Sequence, residues 1–125
     1  MKKVLITGGF GRLGKYIIKS LQDICELSVY DLTNSKHNCM SFQANILDYP
    51  TLSHAIRGKD VIIHLAGLDS DISASDSEYM QVNVEGTWNV FNLAARHGVE
   101  KVIHCSSVAA VDISTQNPPK YLPID

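Results

Sequence analysis

The stretch Thr7-Gly8-Gly9-Phe10-Gly11-Arg12-Leu13-Gly14 decides the fold of this 125-residue chain. It follows the apolar run Val4-Leu5-Ile6 and precedes an amphipathic stretch from Tyr16 to Leu21. This order predicts a strand, a glycine-rich turn and a helix, which bring backbone N–H groups and a helix N-terminus to one point. A pyrophosphate can bind there, because glycines permit the sharp turn, the approach of the phosphates and the close packing of helix on strand.

The spacing of the glycines fits two templates, Gly8-x-x-Gly11-x-x-Gly14 and Gly9-x-Gly11-x-x-Gly14, so it does not select a subfamily. Asp31 ends the next predicted strand, roughly 20 residues further on, where a carboxylate accepts hydrogen bonds from an adenosine ribose. A carboxylate there repels a 2′-phosphate and favours NAD over NADP. Arg12 leaves an alternative open, since its guanidinium could meet a 2′-phosphate or lie solvated in the first helical turn.

Composition and charge indicate one globular domain of ordinary type. The chain is 45% hydrophobic and 19% charged with a formal net charge of −2, which gives no basic stripe for nucleic acid or a membrane surface. No apolar stretch approaches the length of a membrane span, and we expect a cytoplasmic protein. We expect no metal, because the three cysteines and four of the five histidines show no metal-binding spacing; these are Cys25, Cys39, Cys105, His54, His64, His97 and His104. The histidines are interpreted as core or surface residues.

Strand and helix patterns alternate along the whole chain. Strands are predicted at 3–7, 27–30, 40–44, 61–65 and 99–105, and helices at 12–23, 50–57 and from the capping box Ser75-Asp76-Ser77-Glu78 to Gly98. This alternation implies βαβ units and right-handed crossovers. We predict an α/β fold with a doubly wound, Rossmann-type parallel sheet of five strands in the order 3-2-1-4-5. Residues 1–111 would be the NAD(P)-binding domain and residues 112–125 a proline-rich linker or tail.

Four further patterns follow the glycine turn in order. Thr7 precedes the glycines, His64-Leu65-Ala66-Gly67 closes the fourth strand, Asn83-Val84-Glu85-Gly86-Thr87 lies in the long helix, and Cys105-Ser106-Ser107 closes the fifth strand. With them the chain, from Lys2 to about Pro123, resembles the extended short-chain dehydrogenase/reductases. This NAD-dependent epimerase/dehydratase group acts mostly on nucleotide sugars and related sugars.

The resemblance implies a role for each residue of the glycine turn. Gly8, Gly11 and Gly14, with Gly9 from the second template, would form the pyrophosphate turn. The backbone N–H groups near Phe10, Arg12 and Leu13 would be its donors, and Asp31 would bind the adenosine ribose.

The resemblance implies further cofactor contacts beyond the turn. Asn45 and Ile46 would flank the adenine ring, although the family usually has Asp where this chain has Asn45. Leu65, Ala66 and Gly67 would line the cofactor between adenine and nicotinamide. Asn83 would support the site, or alternatively be a solvated helix residue.

The residues that bear on catalysis are two serines and two positions where the sequence differs from the family's pattern. Ser107 matches the active-site serine, which hydrogen-bonds the substrate oxygen while a tyrosine exchanges the proton, and Ser106 beside it would contact the cofactor; alternatively both merely end a strand. Val111-Asp112 stands where the family commonly has Tyr-Gly, which leaves the substrate class open. The family's Tyr-x-x-x-Lys pair is missing, because Tyr121 is followed four residues later by Asp125, whose charge would raise a phenol pKa.

The sequence therefore predicts the NAD-binding part of a sugar or nucleotide-sugar epimerase, dehydratase or dehydrogenase, catalytically incomplete as given. The parent would be a homodimer, with a helix over residues 77–97 carrying Tyr79, Trp88 and Phe91 in its interface. Two alternatives stay open. One is a non-catalytic module that senses NAD or regulates a partner, and the other is an NADP-dependent reductase of the atypical branch, which Asp31 disfavours.

Overall fold

The five predicted strands form one parallel sheet. The computed structural model describes residues 1–34, 39–69 and 73–107, so the predicted tail lies outside the described residues. The strands are β1 (Lys2–Thr7), β2 (Cys25–Asp31), β3 (Met40–Gln43), β4 (Val61–His64) and β5 (Lys101–His104). Their order is β3-β2-β1-β4-β5, and each neighbouring pair is parallel. The predicted doubly wound topology is confirmed.

Two of the four α-helices described begin at side-chain caps. The four helices are α1 (Arg12–Leu21), α2 (Tyr49–Ile56), α3 (Asp76–Tyr79) and α4 (Gly86–Arg96). Asp48 caps α2 by accepting the Thr51 N–H at 3.2 Å, with Pro50 in the first turn. The predicted capping box opens α3, where Ser75 Oγ accepts the Glu78 N–H at 3.3 Å and the Glu78 carboxylate accepts the Ser75 N–H at 2.8 Å.

The long helix is interrupted by π-helical turns. The prediction of one uniform helix is wrong over Met80–Glu85, a π-helical segment that joins α3 to α4. A π turn contains an extra residue and shifts which side chains face the sheet, and hydrophobic periodicity does not encode this shift. Gly86 follows directly and lies against the β3–α2 loop, since a Cβ there would be 2.6 Å from Ile46 Cγ2.

The core has two layers, one on each face of the sheet. Leu5, Ile62 and Leu93 belong to the layer under α2 and α4, whereas Ile6 and Ile18 belong to the layer under α1. Alternate residues of β1 therefore pack into opposite layers, as expected for a parallel strand covered on both faces.

The edge strand β5 is the exception to this burial. Ile103 is 46% exposed, so in the described part of the chain β5 is not covered on both faces, although its sequence is apolar. Within that part, β5 pairs with β4 along one side. None of the described helices is both long and apolar enough to cross a membrane.

Candidate functional site

A groove runs along the carboxyl ends of the strands and consists of three adjoining cavities. The β2 cavity, of about 360 Å³, includes Asp31 and Asn45 in its walls. The turn cavity, of about 520 Å³, lies at the glycine turn, and the β5 cavity, of about 310 Å³, includes Ser106 and Ser107. Leu65 and Gly67 border all three cavities. The strand order reverses beside β1, and ligands of doubly wound sheets bind at such a switch point.

Steric constraints fix most of the glycine turn. Gly8 has a φ of +67°, and a Cβ there would lie 2.7 Å from the Ala66 nitrogen. A Cβ on Gly14 would collide with the carbonyl oxygen of Gly9, and one on Gly9 would lie 2.8 Å from Val29 Cγ1. Because these glycines lack a side chain, β1 can lie close to the β4 loop and the N-terminus of α1 can lie close to the turn.

The N-terminus of α1 opens into the turn cavity. Gly11 is its N-cap and provides no side-chain cap, and the first turn contains no acidic residue. The N–H groups of the first turn have no partner within a helix, and the helix dipole favours an anion beside them. The residues that supply them, Arg12, Leu13 and Gly14, border the turn cavity, so a pyrophosphate fits this end of the helix.

The Asp31 carboxylate is tied to the glycine turn. Its Oδ2 accepts the Phe10 N–H at 3.0 Å, and its Oδ1 accepts both the N–H and the hydroxyl of Thr33 at 3.0 Å. The Phe10 N–H thus donates to Asp31 in this structure, and the phosphate contact expected from the resemblance stays a prediction. An ionised carboxylate has about four acceptor positions, so Oδ2 keeps capacity for a ribose hydroxyl.

Arg12 is directed away from Asp31. Its Nη2 lies 2.6 Å from Asp69 Oδ2, and the Tyr79 hydroxyl donates to the Asp69 carbonyl at 2.9 Å. Because β2 and β4 lie on opposite sides of β1, this ion pair holds the guanidinium on the β4 side. The pair is solvent-exposed and adds little stability. It directs the Arg12 guanidinium towards Asp69, and not towards the ribose side where a 2′-phosphate would lie.

Asn45 and Ile46 lie at the floor of the β2 cavity. Asn45 Oδ1 accepts the Leu47 N–H at 3.0 Å, and its carbonyl accepts the Tyr30 hydroxyl at 2.8 Å. Burial, and next the nearby Asp48 charge, raise the pKa of Tyr30 to about 12. Tyr30 therefore acts as a neutral donor that fixes this loop, a role that sequence reasoning missed.

Asn83 clamps the loop after β4. Its Oδ1 accepts the Leu68 N–H at 2.7 Å, and its Nδ2 donates to the Leu68 carbonyl at 2.9 Å. The alternative of a merely solvated helix residue is therefore not what the structure shows. Asn83 also lies 3.3 Å from where a Cβ on Gly67 would be, so it leaves little room for a larger residue there.

Ser106 and Ser107 follow β5 and are exposed in the β5 cavity. The structure thus brings both serines to the same groove as Asn83 and the wall from Leu65 to Gly67. In the described ranges, no three His, Cys, Asp or Glu side chains converge to hold a metal ion.

His64 is a site residue that sequence reasoning did not find. It is 1% exposed, and its Nδ1 lies 2.6 Å from Thr7 Oγ1 and its Nε2 3.0 Å from Thr87 Oγ1. The ring stacks on His104 with centroids 5.2 Å apart. Burial, and next the His104 charge, lower the pKa of His64 to about 4, so its ring is neutral at pH 7. The contact depends on the β1–β4 register, in which Thr7 and His64 are partners, and the sequence does not give that register.

Comparison with known proteins identifies the family. The model of the 3-beta hydroxysteroid dehydrogenase/isomerase family matches residues 5–118. The chain belongs to this family. Its membership confirms the resemblance to extended short-chain dehydrogenase/reductases.

Two viral relatives are matched over only part of their length. Uncharacterized protein 052L of Frog virus 3 (isolate Goorha) is 32% identical over 126 residues, covering 92% of this chain and 36% of that protein. The 3 beta-hydroxysteroid dehydrogenase/Delta 5→4-isomerase of Vaccinia virus (strain Copenhagen) is 33% identical over 117 residues, covering 85% and 34%. The chain thus spans about a third of the length of these curated relatives.

Solved structures share the fold of this family member. A short-chain dehydrogenase/reductase superfamily protein from Agrobacterium tumefaciens with bound NAD has a TM-score of 0.84 and 28% identity, covering 98% of this chain and 37% of that one. A UDP-N-acetylglucosamine 4-epimerase from Methanobrevibacter ruminantium M1 has a TM-score of 0.82 and 27% identity, covering 95% and 42%. These similarities support an NAD-binding oxidoreductase family.

Proposed function

We propose that this chain binds NAD along the groove and belongs to an NAD-dependent dehydrogenase of a secondary alcohol. The adenosine would lie in the β2 cavity, the pyrophosphate in the turn cavity and the nicotinamide towards the β5 cavity. The observation that carries this proposal is the continuity of the groove, because Leu65 and Gly67 border all three cavities between Asp31 and Ser107. A dinucleotide needs such an uninterrupted path across the switch point.

The groups that line the groove match the three parts of NAD in their chemistry. The uncapped N-terminus of α1 offers positive N–H dipoles to the pyrophosphate. Asp31 offers an acceptor to the ribose and a repulsive charge to a 2′-phosphate. Apolar side chains of Ile46, Leu65 and Val82 border the β2 cavity, where a flat adenine ring would pack.

The β5 cavity is the proposed place of the substrate carbon. When bound there, NAD⁺ supplies the hydride acceptor. Ser107 would donate or accept a hydrogen bond at the substrate oxygen, while Asn83 holds the opposing loop by its two bonds to Leu68. The 125 residues contain no Tyr-x-x-x-Lys pair, so we expect residues 1–125 alone to bind the cofactor without turnover.

A 3β-hydroxysteroid is the first candidate substrate and a nucleotide sugar the second. The family model and the Vaccinia virus relative, at 33% identity, are named for 3-beta hydroxysteroids. The sugar expected from the sequence is supported by the UDP-N-acetylglucosamine 4-epimerase, at 27% identity. Both substrates have a secondary alcohol that can give hydride to NAD⁺.

Two measurements test the proposal. Calorimetry of the chain with NAD⁺ and NADH should show binding, and the absence of binding by a folded sample would overturn the cofactor assignment. The substrate class is tested by NADH formation with the full-length protein as its gene encodes it, offered 3β-hydroxysteroids and UDP-sugars in parallel. NAD binding without turnover of either class would instead favour the NAD-sensing module.

A further inference from the structure

We propose that His64 is a positioning residue that fixes the wall from Leu65 to Gly67 to β1 and to α4 through its two imidazole–hydroxyl bonds. This inference rests on the proposed function, because that wall is where the cofactor would lie. His64 would not contact the reacting atoms but would act through the backbone that follows it.

The network joins three elements that each carry part of the groove. Thr7 ends β1 and leads into the glycine turn, His64 ends β4 and leads into the wall, and Thr87 lies in the first turn of α4. The Thr7 Oγ1–His64 Nδ1 distance is 2.6 Å and the His64 Nε2–Thr87 Oγ1 distance is 3.0 Å. Both ring nitrogens are therefore used within the protein, which leaves neither for a ligand.

The proposal assigns one direction to the protons in this network. Thr7 Oγ1 accepts the Ala66 N–H at 3.4 Å, and the Thr7 hydroxyl would give its own proton to His64 Nδ1. The neutral ring would then carry its proton on Nε2 and donate it to Thr87. Such a directed chain of buried hydrogen bonds favours one arrangement of its members.

The same network holds the wall at its start. The Leu65 N–H donates to the Thr7 carbonyl at 3.0 Å, and the Ala66 N–H to Thr7 Oγ1. A shift of His64 would therefore move the backbone that borders all three cavities. The titratable group facing the ring is His104, which stacks on it at 5.2 Å.

Variants can separate positioning from ordinary core packing. Thr87→Val removes the hydroxyl that pairs with His64 Nε2, and His64→Asn keeps a polar group near Thr7 but is too short to reach Thr87. Ser53→Ala is the matched control, because Ser53 Oγ makes a similar bond to His97 Nε2 at 2.9 Å and borders none of the three cavities.

We expect Thr87→Val to weaken NAD binding about three- to tenfold, the effect of losing one hydrogen bond. Amide exchange at Leu65 and Ala66 should also accelerate. Ser53→Ala should lower the unfolding free energy by a comparable amount. It should change neither NAD affinity nor the amide exchange rates of Leu65 and Ala66. Equal NAD affinities and equal exchange rates in Thr87→Val and Ser53→Ala would overturn the proposal.

Two further readouts keep the test decisive. If the unaltered chain binds no NAD, the proposed function fails, whereas amide exchange at Leu65 and Ala66 still tests the network. If Thr87→Val does not fold, nitrogen NMR of the unaltered chain reports the tautomer of His64 directly. A single fixed tautomer supports the network, and an averaged mixture of both tautomers, as in a free imidazole, overturns it.

Discussion

Arg12 Nη2 lies 2.6 Å from Asp69 Oδ2, on the opposite side of β1 from Asp31. The two charged residues that bear on NAD versus NADP are therefore held apart. Asp31 faces the β2 cavity with its carboxylate tied to Phe10, whereas Arg12 borders the turn cavity. Cofactor preference should depend on the first and not on the second.

Replacing Asp31 should relax the preference for NAD. Asp31→Ala removes the charge that repels a 2′-phosphate, and we expect the ratio of NADP to NAD affinity to rise by about tenfold, equivalent to roughly 1.4 kcal/mol. Calorimetry with both cofactors measures the ratio. Arg12→Ala is the control and should leave it unchanged; a constant ratio in Asp31→Ala with a shifted ratio in Arg12→Ala would reverse the assignment.

A methyl group at Gly14 should disrupt the turn. The added Cβ of Gly14→Ala would meet the Gly9 carbonyl, so we expect the unfolding free energy to fall by at least about 3 kcal/mol, the upper end of the usual cost of overpacking. Gly11→Ala is the comparison, since its Cβ has one neighbour, Gly8 O, at 3.2 Å. Thermal denaturation of both variants checks this order, and equal stability would contradict it.

The stability of the fold should fall in mild acid because of His64. Its pKa is lowered from 6.5 to about 4 in the folded state, so the unfolded chain binds the proton more readily between these values. Stability from this group is present above pH 6.5 and is lost as the pH falls towards 4. The loss between pH 7 and pH 5 is about 2 kcal/mol.

Denaturant titrations at pH 7 and pH 5 measure this dependence. His64→Asn cannot take up the proton, so its unfolding free energy should change less between the two pH values than that of the unaltered chain. Equal changes in both proteins would show that His64 is not the responsible group.

Removing the Tyr30 hydroxyl should loosen the β3–α2 loop. In Tyr30→Phe the bond to the Asn45 carbonyl is lost, and we expect unfolding free energy to fall by about 1 kcal/mol. NAD affinity should fall with it, because Asn45 borders the β2 cavity. Tyr49→Phe is the matched control: its hydroxyl accepts from Asn92 Nδ2 at 2.9 Å, outside the cavity. Unchanged NAD affinity in Tyr30→Phe would exclude the loop role.

The exposed apolar residues of the π-helical segment and α4 should promote self-association of the chain. Met80, Val84 and Trp88 are 61%, 55% and 68% exposed, and exposed apolar side chains promote association. We expect light scattering to show concentration-dependent oligomers that Trp88→Lys reduces. Tyr16→Lys, at a 75% exposed position on α1, should not reduce them. A monomer at every concentration would contradict this prediction and weaken the expected homodimer.

The fold was predictable because its signals are local. The glycine turn, the capping box at Ser75 and the proline in the first turn of α2 each lie within a few residues of the element they define. The strand order followed from the alternation of elements, which few topologies satisfy. Asp31 and Ser107 lie at the same edge of the sheet because both stand at the carboxyl ends of parallel strands.

The features that were missed depend on contacts between distant residues. The bonds of His64 to Thr7 and Thr87 join positions 57 and 23 residues apart, and they require the β1–β4 register and the position of α4. The π-helical segment Met80–Glu85 changes backbone hydrogen bonding without changing composition. The exposure of β5 depends on what packs against an edge strand, which its apolar sequence does not show.

Substitutions in the wall from Leu65 to Gly67 should affect both ends of the groove at once. Asp31 borders the β2 cavity and Ser107 the β5 cavity, so changes at these positions act on one end of the groove. Leu65 and Gly67 border all three cavities of the groove, so a single substitution there acts on both ends together. Directed evolution towards another cofactor should therefore tolerate variation at Asp31 and its neighbours, while selection for retained cofactor binding will purge variants of the wall.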